Sequence, residues 1–269
     1  MTRAEDFAIT PELFSAIDVA AERLIAADYP IGLTGAGLSV ESGIPPFRGP
    51  GGLWTEHGEP PMDGYQRFLR DPVGAWRELI SPTEPWLKGL RDTLGQAAPN
   101  AGHRALVALE TAGVLQCVIT QNVDDLHRQA GQTQLLEIHG NYRLLRCVGC
   151  GERFPQGEIE IDPARLPPAC PRCSAMLKDD TVHFGEPIPP RVLTACERAA
   201  ERADCMLVVG TSATVYPAAG FAVDIARRGG CLIEVNPEES DLTEIASVFL
   251  RGPAGALLSA LAERVTTRV

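Results

Sequence analysis

An α/β fold, a parallel sheet with helices on both faces and a small metal-held domain set into it, is predicted by three features of the sequence. Short apolar runs recur along the chain, segments of helical periodicity lie between them, and two Cys-x-x-Cys pairs stand in a stretch that has neither pattern. The apolar runs are Ile31 to Thr34, Leu115 to Thr120, Met206 to Gly210 and Leu232 to Val235, each bounded by turn residues and each reading as a buried strand. The helical segments are Glu12 to Ala27, Gly102 to Thr111, Pro190 to Ala203, Ala218 to Arg228 and Gly255 to Arg264. Strands alternating with helices in this way imply a Rossmann-like sheet, because a parallel crossover needs a helix to carry the chain back. Two stretches interrupt the alternation. From Gly43 to Trp86 the chain is crowded with Pro and Gly and reads as a long loop with short helices, and from Cys147 to Asp180 it is rich in Cys and Pro with little periodicity.

Composition excludes several classes. The 269 residues are 45% hydrophobic and 22% charged, as in ordinary globular proteins, which removes disorder and membrane classes. The formal net charge of −11 opposes a nucleic acid partner, whose phosphates attract stripes of Lys and Arg, and favours basic peptides instead. Glu5 and Asp6 stand where a secretory signal needs an apolar core, and no later apolar run approaches membrane-spanning length, so the expected location is cytoplasmic with no membrane partner.

The candidate site residues follow the strands. Thr34-Gly35-Ala36-Gly37-Leu38-Ser39 lies where the first strand ends, a place where glycines let backbone approach a pyrophosphate. Alone this turn is weak, and Val40 stands where a dehydrogenase fingerprint wants a third glycine, which argues against hydride transfer. A long polar excursion follows in place of an immediate helix; its Arg48 could pair with a phosphate or ribose edge and its Phe47 could shield a reactive sugar carbon. Thr120-Gln121-Asn122-Val123-Asp124-Asp125-Leu126-His127 follows the second strand, with amides and carboxylates suited to a ribose and a carboxamide, or simply to capping a helix. Gly210-Thr211-Ser212 and Asn236 end two more strands, and with the Gly-x-Gly turn they place polar groups along one rim of one sheet, the geometry of a dinucleotide site. Glu137-Ile138-His139-Gly140 carries a histidine; an imidazole, with an ordinary pKa of about 6.5, can take a hydroxyl proton at neutral pH.

Cys147-x-x-Cys150 and Cys170-x-x-Cys173, nineteen residues apart, have the spacing of a four-thiolate zinc site. Four thiolates leave no open position, so one such ion per chain would be structural; iron in a rubredoxin-like site and a pair of redox dithiols are the rival readings. Cys117, Cys196, Cys205 and Cys231 lie in or beside apolar segments and read as buried core thiols.

These residues together resemble the sirtuins, NAD-dependent protein lysine deacylases, in their bacterial type. The resemblance spans Thr34 to Gly255 in order: GAGLSVESGIPPFRG, PNAGHRAL at Pro99 to Leu106, TQNVDDLH, the His139-Gly140 pair, the four cysteines, VHFGE at Val182 to Glu186, GTSATVYPAAG, and VNPE at Val235 to Glu238. It implies that NAD is consumed as co-substrate and that His139 is the general base. It also implies that Gly35, Ala36, Gly37, Phe47 and Arg48 meet the phosphates and ribose, Gln121 and Asn122 the ribose side, and Val123 and Asp124 the nicotinamide pocket. Gly210, Thr211, Ser212 and Asn236 correspond to the adenosine side, with Ala254 near the adenine, and Val182, Phe184, Gly185 and Glu186 to the strand that pairs with an acyl-lysine peptide. The implied organisation is a Rossmann-like NAD-binding domain of residues 1–42, 100–145 and 181–269, a cofactor loop with a helical insertion at 43–99, and a zinc-binding domain at 146–180. An NAD glycohydrolase or ADP-ribosyltransferase on the same scaffold is the alternative activity; VHFGE and the zinc knuckles favour deacylation, since a hydrolase needs no peptide cleft. Two departures bear on subclass. Pro46 replaces the common Asp after Gly-Ile-Pro, and the Tyr-x-x-Arg pair of the desuccinylating branch is missing near Leu79 to Pro82, so neutral acyl groups are expected. His183 stands where the family often has an aromatic residue beside the acyl channel.

Overall fold

The computed structural model describes residues 7–269, so Glu5, Asp6 and the first residues of the segment 1–42 lie outside the described residues. In chain order the strands are β1 (Pro30–Thr34), β2 (Cys117–Thr120), β3 (Leu135–Glu137), β4 (Leu144–Cys147), β5 (Arg153–Pro155), β6 (Leu177–Asp179), β7 (Cys205–Val209), β8 (Cys231–Asn236) and β9 (Val248–Arg251). The helices are α1 (Pro11–Ala26), α2 (Leu53–His57), α3 (Gly64–Arg70), α4 (Pro72–Ile80), α5 (Pro85–Gln96), α6 (Ala101–Thr111), α7 (Leu126–Ala130), α8 (Pro190–Arg202), α9 (Ala218–Arg227) and α10 (Ala254–Thr266).

Six strands form one parallel sheet in the order β3-β2-β1-β7-β8-β9. Successive side chains of a strand point to opposite faces, and β7 shows the result. Cys205, Leu207 and Val209 join one core with Ile17 of α1, Leu106 of α6 and Leu257 of α10, whereas Met206 and Val208 join the other with Ala199 of α8 and Ile225 of α9. Both faces are therefore dry, which is why the central strands read as unbroken apolar runs. Thr10 caps α1 by accepting the Leu13 N–H at 3.3 Å, with Pro11 at the first helical position. Asn100 caps α6 by accepting the amides of Gly102 and His103, while the His103 ring returns a bond to the Asn100 amide. The PNAGH run is thus a helix start.

The second unit is a three-stranded antiparallel sheet, β5-β4-β6, covered by helices of the earlier insertion. Phe68 of α3 and Trp76 of α4 share a core with Leu145 and Leu177, and Trp76 Nε1 donates to the Leu177 carbonyl at 2.8 Å. Two stretches far apart in sequence thereby make one small core.

The sequence misses β3 and β9. Both are edge strands of three or four residues, half-buried along much of their length and each ending on a charged residue, so neither makes an unbroken apolar run. The 43–86 stretch is also more helical than its Pro and Gly content suggests, because Pro72 and Pro85 sit at helix starts, where a missing N–H costs nothing. Among the described residues no helix is long and apolar enough to cross a membrane.

Candidate active site

The strand order reverses between β1 and β7, with β2 and β3 to one side and β8 and β9 to the other, and in such sheets ligands bind outside the carboxyl ends at that point. A cavity of about 2230 Å³ opens there. That is larger than the roughly 300–1,000 Å³ of a pocket for one small molecule, and it suits a dinucleotide together with a peptide.

Gly35, Ala36 and Gly37 line the cavity at the end of β1. The Gly35 amide donates to the Val209 carbonyl at 2.9 Å and the Gly37 amide to the Gly210 carbonyl at 2.8 Å. A Cβ on Gly37 would stand 2.7 Å from Gly210 Cα, and one on Gly35 2.8 Å from Gly210 O. The glycines are therefore required by the close approach of two strand-end turns, before any ligand is considered. A 3-10 helix, Ala36–Ser42, begins at once after β1, where the sequence allows a helix to start, and takes in the first three residues of the excursion expected from Val40. Gly43, at φ 87°, ends it.

After β2, Gln121, Asn122 and Val123 line the cavity and Asp124 does not. Asn122 Nδ2 donates to the Gly35 carbonyl at 3.0 Å and to Ser39 Oγ at 3.1 Å. Asp124 sits behind them, buried, accepting from Ser39 Oγ at 2.6 Å and from the Leu126 amide at 3.0 Å. Burial raises its pKa, against the pull of those two donors. Its carboxylate holds the turn from behind.

His139 follows β3, so the missed strand is the one that delivers it to the rim. Its Nδ1 lies 3.1 Å from the Gln121 carbonyl. A carbonyl only accepts, so Nδ1 carries the proton and Nε2 keeps its lone pair. Burial lowers the His139 pKa below the ordinary 6.5, with the Gln121 bond opposing, and the ring is neutral at pH 7. The His139 carbonyl also accepts the Val182 amide at 2.8 Å, which ties the histidine to the next segment.

Phe47, Trp54 and Phe184 form an aromatic wall, with ring centroids 5.0 Å and 5.7 Å apart in succession. The Arg48 guanidinium lies 4.3 Å over the Trp54 ring, and its Nη1 donates to Thr214 Oγ1 at 3.0 Å. Thr211 Oγ1 accepts from Gln121 Nε2 at 3.0 Å, and Asn236 Nδ2 donates to the Thr211 carbonyl at 2.8 Å. These bonds lace the ends of β2, β7 and β8 together. Gly210, Ser212 and Ala254 complete that side of the lining.

Val182, Phe184, Gly185 and Glu186 all line the cavity, but the segment is a turn and not the strand expected. Gly185 has φ 78° and the Glu186 amide donates to the His183 carbonyl at 2.9 Å, which closes the turn. The Glu186 carboxylate faces inward, accepting from Arg146 Nη2 at 2.6 Å and lying 3.2 Å from Lys178 Nζ. His183 Nε2 lies 2.9 Å from Asp179 Oδ2, with the ring edge-on to Phe68.

The sulfur atoms of Cys147, Cys150, Cys170 and Cys173 lie within 4.8 Å of one another. Two of their separations, 3.4 and 3.9 Å, bracket the edge of about 3.8 Å that a tetrahedron with metal–sulfur bonds of ~2.3 Å would have. Backbone amides of Gly149 and Cys150 point at Cys147 Sγ, and that of Arg172 at Cys170 Sγ, as thiolates require. The donor set fits a structural zinc.

Comparison with known proteins agrees with this geometry. Residues 35–217 match the model of the Sir2 family. The chain belongs to the Sir2 family. It is similar to the NAD-dependent protein deacylase of Thermococcus kodakarensis, at 45% identity over 91% of this chain and 94% of that protein. Among solved structures it resembles a Sir2 homologue in complex with NAD, with a TM-score of 0.78 and 39% identity over 93% of this chain and 94% of that one. It also resembles a Sir2 variant holding a deacetylated peptide and 3′-O-acetyl ADP-ribose, with a TM-score of 0.74 and 30% identity over 94% of this chain and 98% of that one.

Sequence reasoning about this Sir2 chain overlooks Glu41, Trp54 and Thr214. Glu41 accepts the Gly255 amide at 2.8 Å and so fastens the first turn to the start of α10. An acidic residue in a Gly-rich turn, 214 positions from its partner, carries no local signal. Trp54 and Thr214 were legible only as Arg48's need for an aromatic face and a hydroxyl, which names no position.

Proposed function

We propose that this Sir2 chain is an NAD-dependent protein lysine deacylase that moves the acyl group from lysine to ADP-ribose and releases nicotinamide. The observation that carries the reading is His139, neutral and tautomerically fixed, with Nε2 unprotonated at the point where the sheet reverses. NAD, consumed as co-substrate, supplies an electrophilic ribose carbon and a nicotinamide leaving group. Once the acyl oxygen has attacked that carbon and nicotinamide has left, His139 Nε2 removes a proton from a ribose hydroxyl so that its oxygen can attack the acyl carbon, and water completes the release of the lysine amine. Phe47 and Trp54 keep water from the ribose while the bond to nicotinamide breaks. Arg48 answers phosphate or ribose, and because the Gly35 and Gly37 amides are already spent inside the protein, Ala36 presents the turn's remaining amide. Val123 packs beside the nicotinamide, and Asp124 acts by holding Ser39 and thereby Asn122. Thr211, Ser212, Asn236 and Ala254 face the adenosine, with Gly210 giving the backbone clearance.

The acyl-lysine peptide lies along Val182 to Gly185, read chiefly through backbone, which accommodates many sequences. Cys147, Cys150, Cys170 and Cys173 hold one zinc ion that shapes the peptide side and takes no part in the chemistry. In this reading residues 1–42, 100–145 and 181–269 bind NAD, 43–99 close over it, and 146–180 form the zinc unit. The partners are acyl-lysine proteins, with no nucleic acid or membrane, in the cytoplasm. Incubation with NAD and an acetyl-lysine peptide should yield acetylated ADP-ribose and free lysine peptide by mass spectrometry. Plain ADP-ribose without peptide turnover would instead mark an NAD glycohydrolase, and ADP-ribosylated peptide a transferase.

A further inference from the structure

Four cysteines outside the zinc cluster read from sequence as buried core thiols, and three of them are; Cys231 is half-exposed. It begins β8 directly beside Cys205, the first residue of β7, with the two Cα atoms paired in register. Neighbouring strands stand about 4.8 Å apart, and paired residues of parallel strands project to one face, so the separation falls inside the roughly 4.4–6.8 Å window a disulfide requires. Both side chains pack against the same core, and both line a cavity of about 390 Å³ at the end of the sheet away from the cofactor rim. Arg23, Asp204 and Arg228 give that cavity a charged wall that admits a small polar reagent.

We infer that Cys231 and Cys205 form an oxidisable dithiol, with Cys231 as the thiol that attacks a hydroperoxide and Cys205 as the thiol that resolves it. Cys231 is the member of the pair that reaches solvent, whereas Cys205 is fully buried, which assigns the first attack to Cys231. The nearness of the two sulfurs favours the thiolate on Cys231 and, with burial, raises Cys205, so Cys205 reacts only once the neighbouring sulfur is oxidised. Burial pushes Cys117 up to about 11 and Cys196 up to about 12, which makes them unreactive internal standards. In the first step the Cys231 thiolate attacks one peroxide oxygen; an S–O bond forms, the O–O bond breaks, and the leaving hydroxide takes a proton to depart as water. In the second, Cys205 sulfur attacks Cys231 sulfur; an S–S bond forms, the S–O bond breaks, and the Cys205 proton leaves with the second water. Two thiols lose two electrons in all, and one peroxide gains them.

The site is independent of the deacylase reading. Cys205 lies five residues before Gly210 along β7, roughly 16 Å from the rim at ~3.3 Å per residue. The test treats the zinc-loaded protein with limiting hydrogen peroxide, with and without dimedone, and maps the cysteines by mass spectrometry. The expected result is a peptide pair joined through Cys205 and Cys231, reversed by dithiothreitol. In Cys205→Ser the disulfide should be replaced by a dimedone adduct on Cys231, formed at least about tenfold faster than any on Cys117 or Cys196. Cys231→Ser should leave Cys205 unmodified and deacylation unchanged. Cys231 reacting no faster than the two buried standards in the intact protein would overturn the proposal. So would a dimedone adduct on wild-type Cys231 with no linked pair, which would remove the resolving role.

Discussion

The six-stranded sheet and the unit built from α3, α4 and β4–β6 meet at the cavity, yet they are held by different forces. The sheet has a dry core on each face, and its rim is fastened by backbone amides and neutral side chains such as Asn122, Thr211 and Asn236. The smaller unit has a smaller core, in which Phe68, Trp76, Leu145 and Leu177 are buried and residues such as Phe154, Ile159 and Leu166 are only partly so. It relies on four thiols and on buried charge: Arg146 and Lys178 on Glu186, and Arg153 on both Asp180 and Glu137. The larger sheet thus rests mainly on hydrophobic burial, with an ion pair such as Arg128 and Glu137 at its edge, while the smaller unit adds a four-thiol cluster and a denser set of buried ion pairs.

The largest effect should come from the residue at the seam. His139→Ala should lower deacylation by about 100-fold or more while the unfolding midpoint and NAD binding stay near wild type, as read by acetyl-ADP-ribose formation, thermal melting and calorimetry. Full activity in that variant would remove the assignment of the base. Cys170→Ser should release the metal and loosen only the smaller unit; elemental analysis and hydrogen exchange would locate the change, and loss of protection in β1 or β7 would erase the contrast drawn above. Glu186→Ala leaves the buried Arg146 only its longer pairing with Asp180 at 3.9 Å and Lys178 only the carbonyls of Asp179 and Thr181, and should cost roughly 3 kcal/mol in denaturant unfolding.

Acid should act on the sheet side through histidines. Burial lowers His103 to about 3 and His127 to about 4, against an unfolded value of 6.5. The unfolded chain therefore binds more protons below pH 6.5, and stability should fall as pH drops from 6.5 towards 4, a slope that thermal melts would trace. If His139 is the base proposed above, the same logic places the acid limb of the activity profile below 6.5, because its ring must be unprotonated to accept a proton. Smallest is Trp76→Phe, which leaves the Leu177 carbonyl without its donor and should cost about 1–3 kcal/mol by urea unfolding.

The central strands, the long helices and the four thiols were legible because each rests on a local pattern: an unbroken apolar run, a 3.6-residue period, or a fixed spacing. The edge strand β3 was not, although His139 depends on it, since three residues on a sheet edge make no run. Nor did the sequence tell that both glycine amides of the first turn are taken up within the protein, or that Asp124 faces away from the cavity, because both depend on partners from β7 and the 3-10 helix. VHFGE was readable as a motif, but its turn closes through bonds between His183 and Glu186 and is anchored by Glu186 on Arg146, a contact across forty residues.

Glu41 has one more consequence. The amino end of α10 borders the cavity through Pro253 and Ala254, and a helix end of that kind ordinarily welcomes an anion. Here a carboxylate from the chain itself already occupies the Gly255 amide, so that pole is neutralised from within. That corner is thereby less attractive to a phosphate and better suited to an uncharged group.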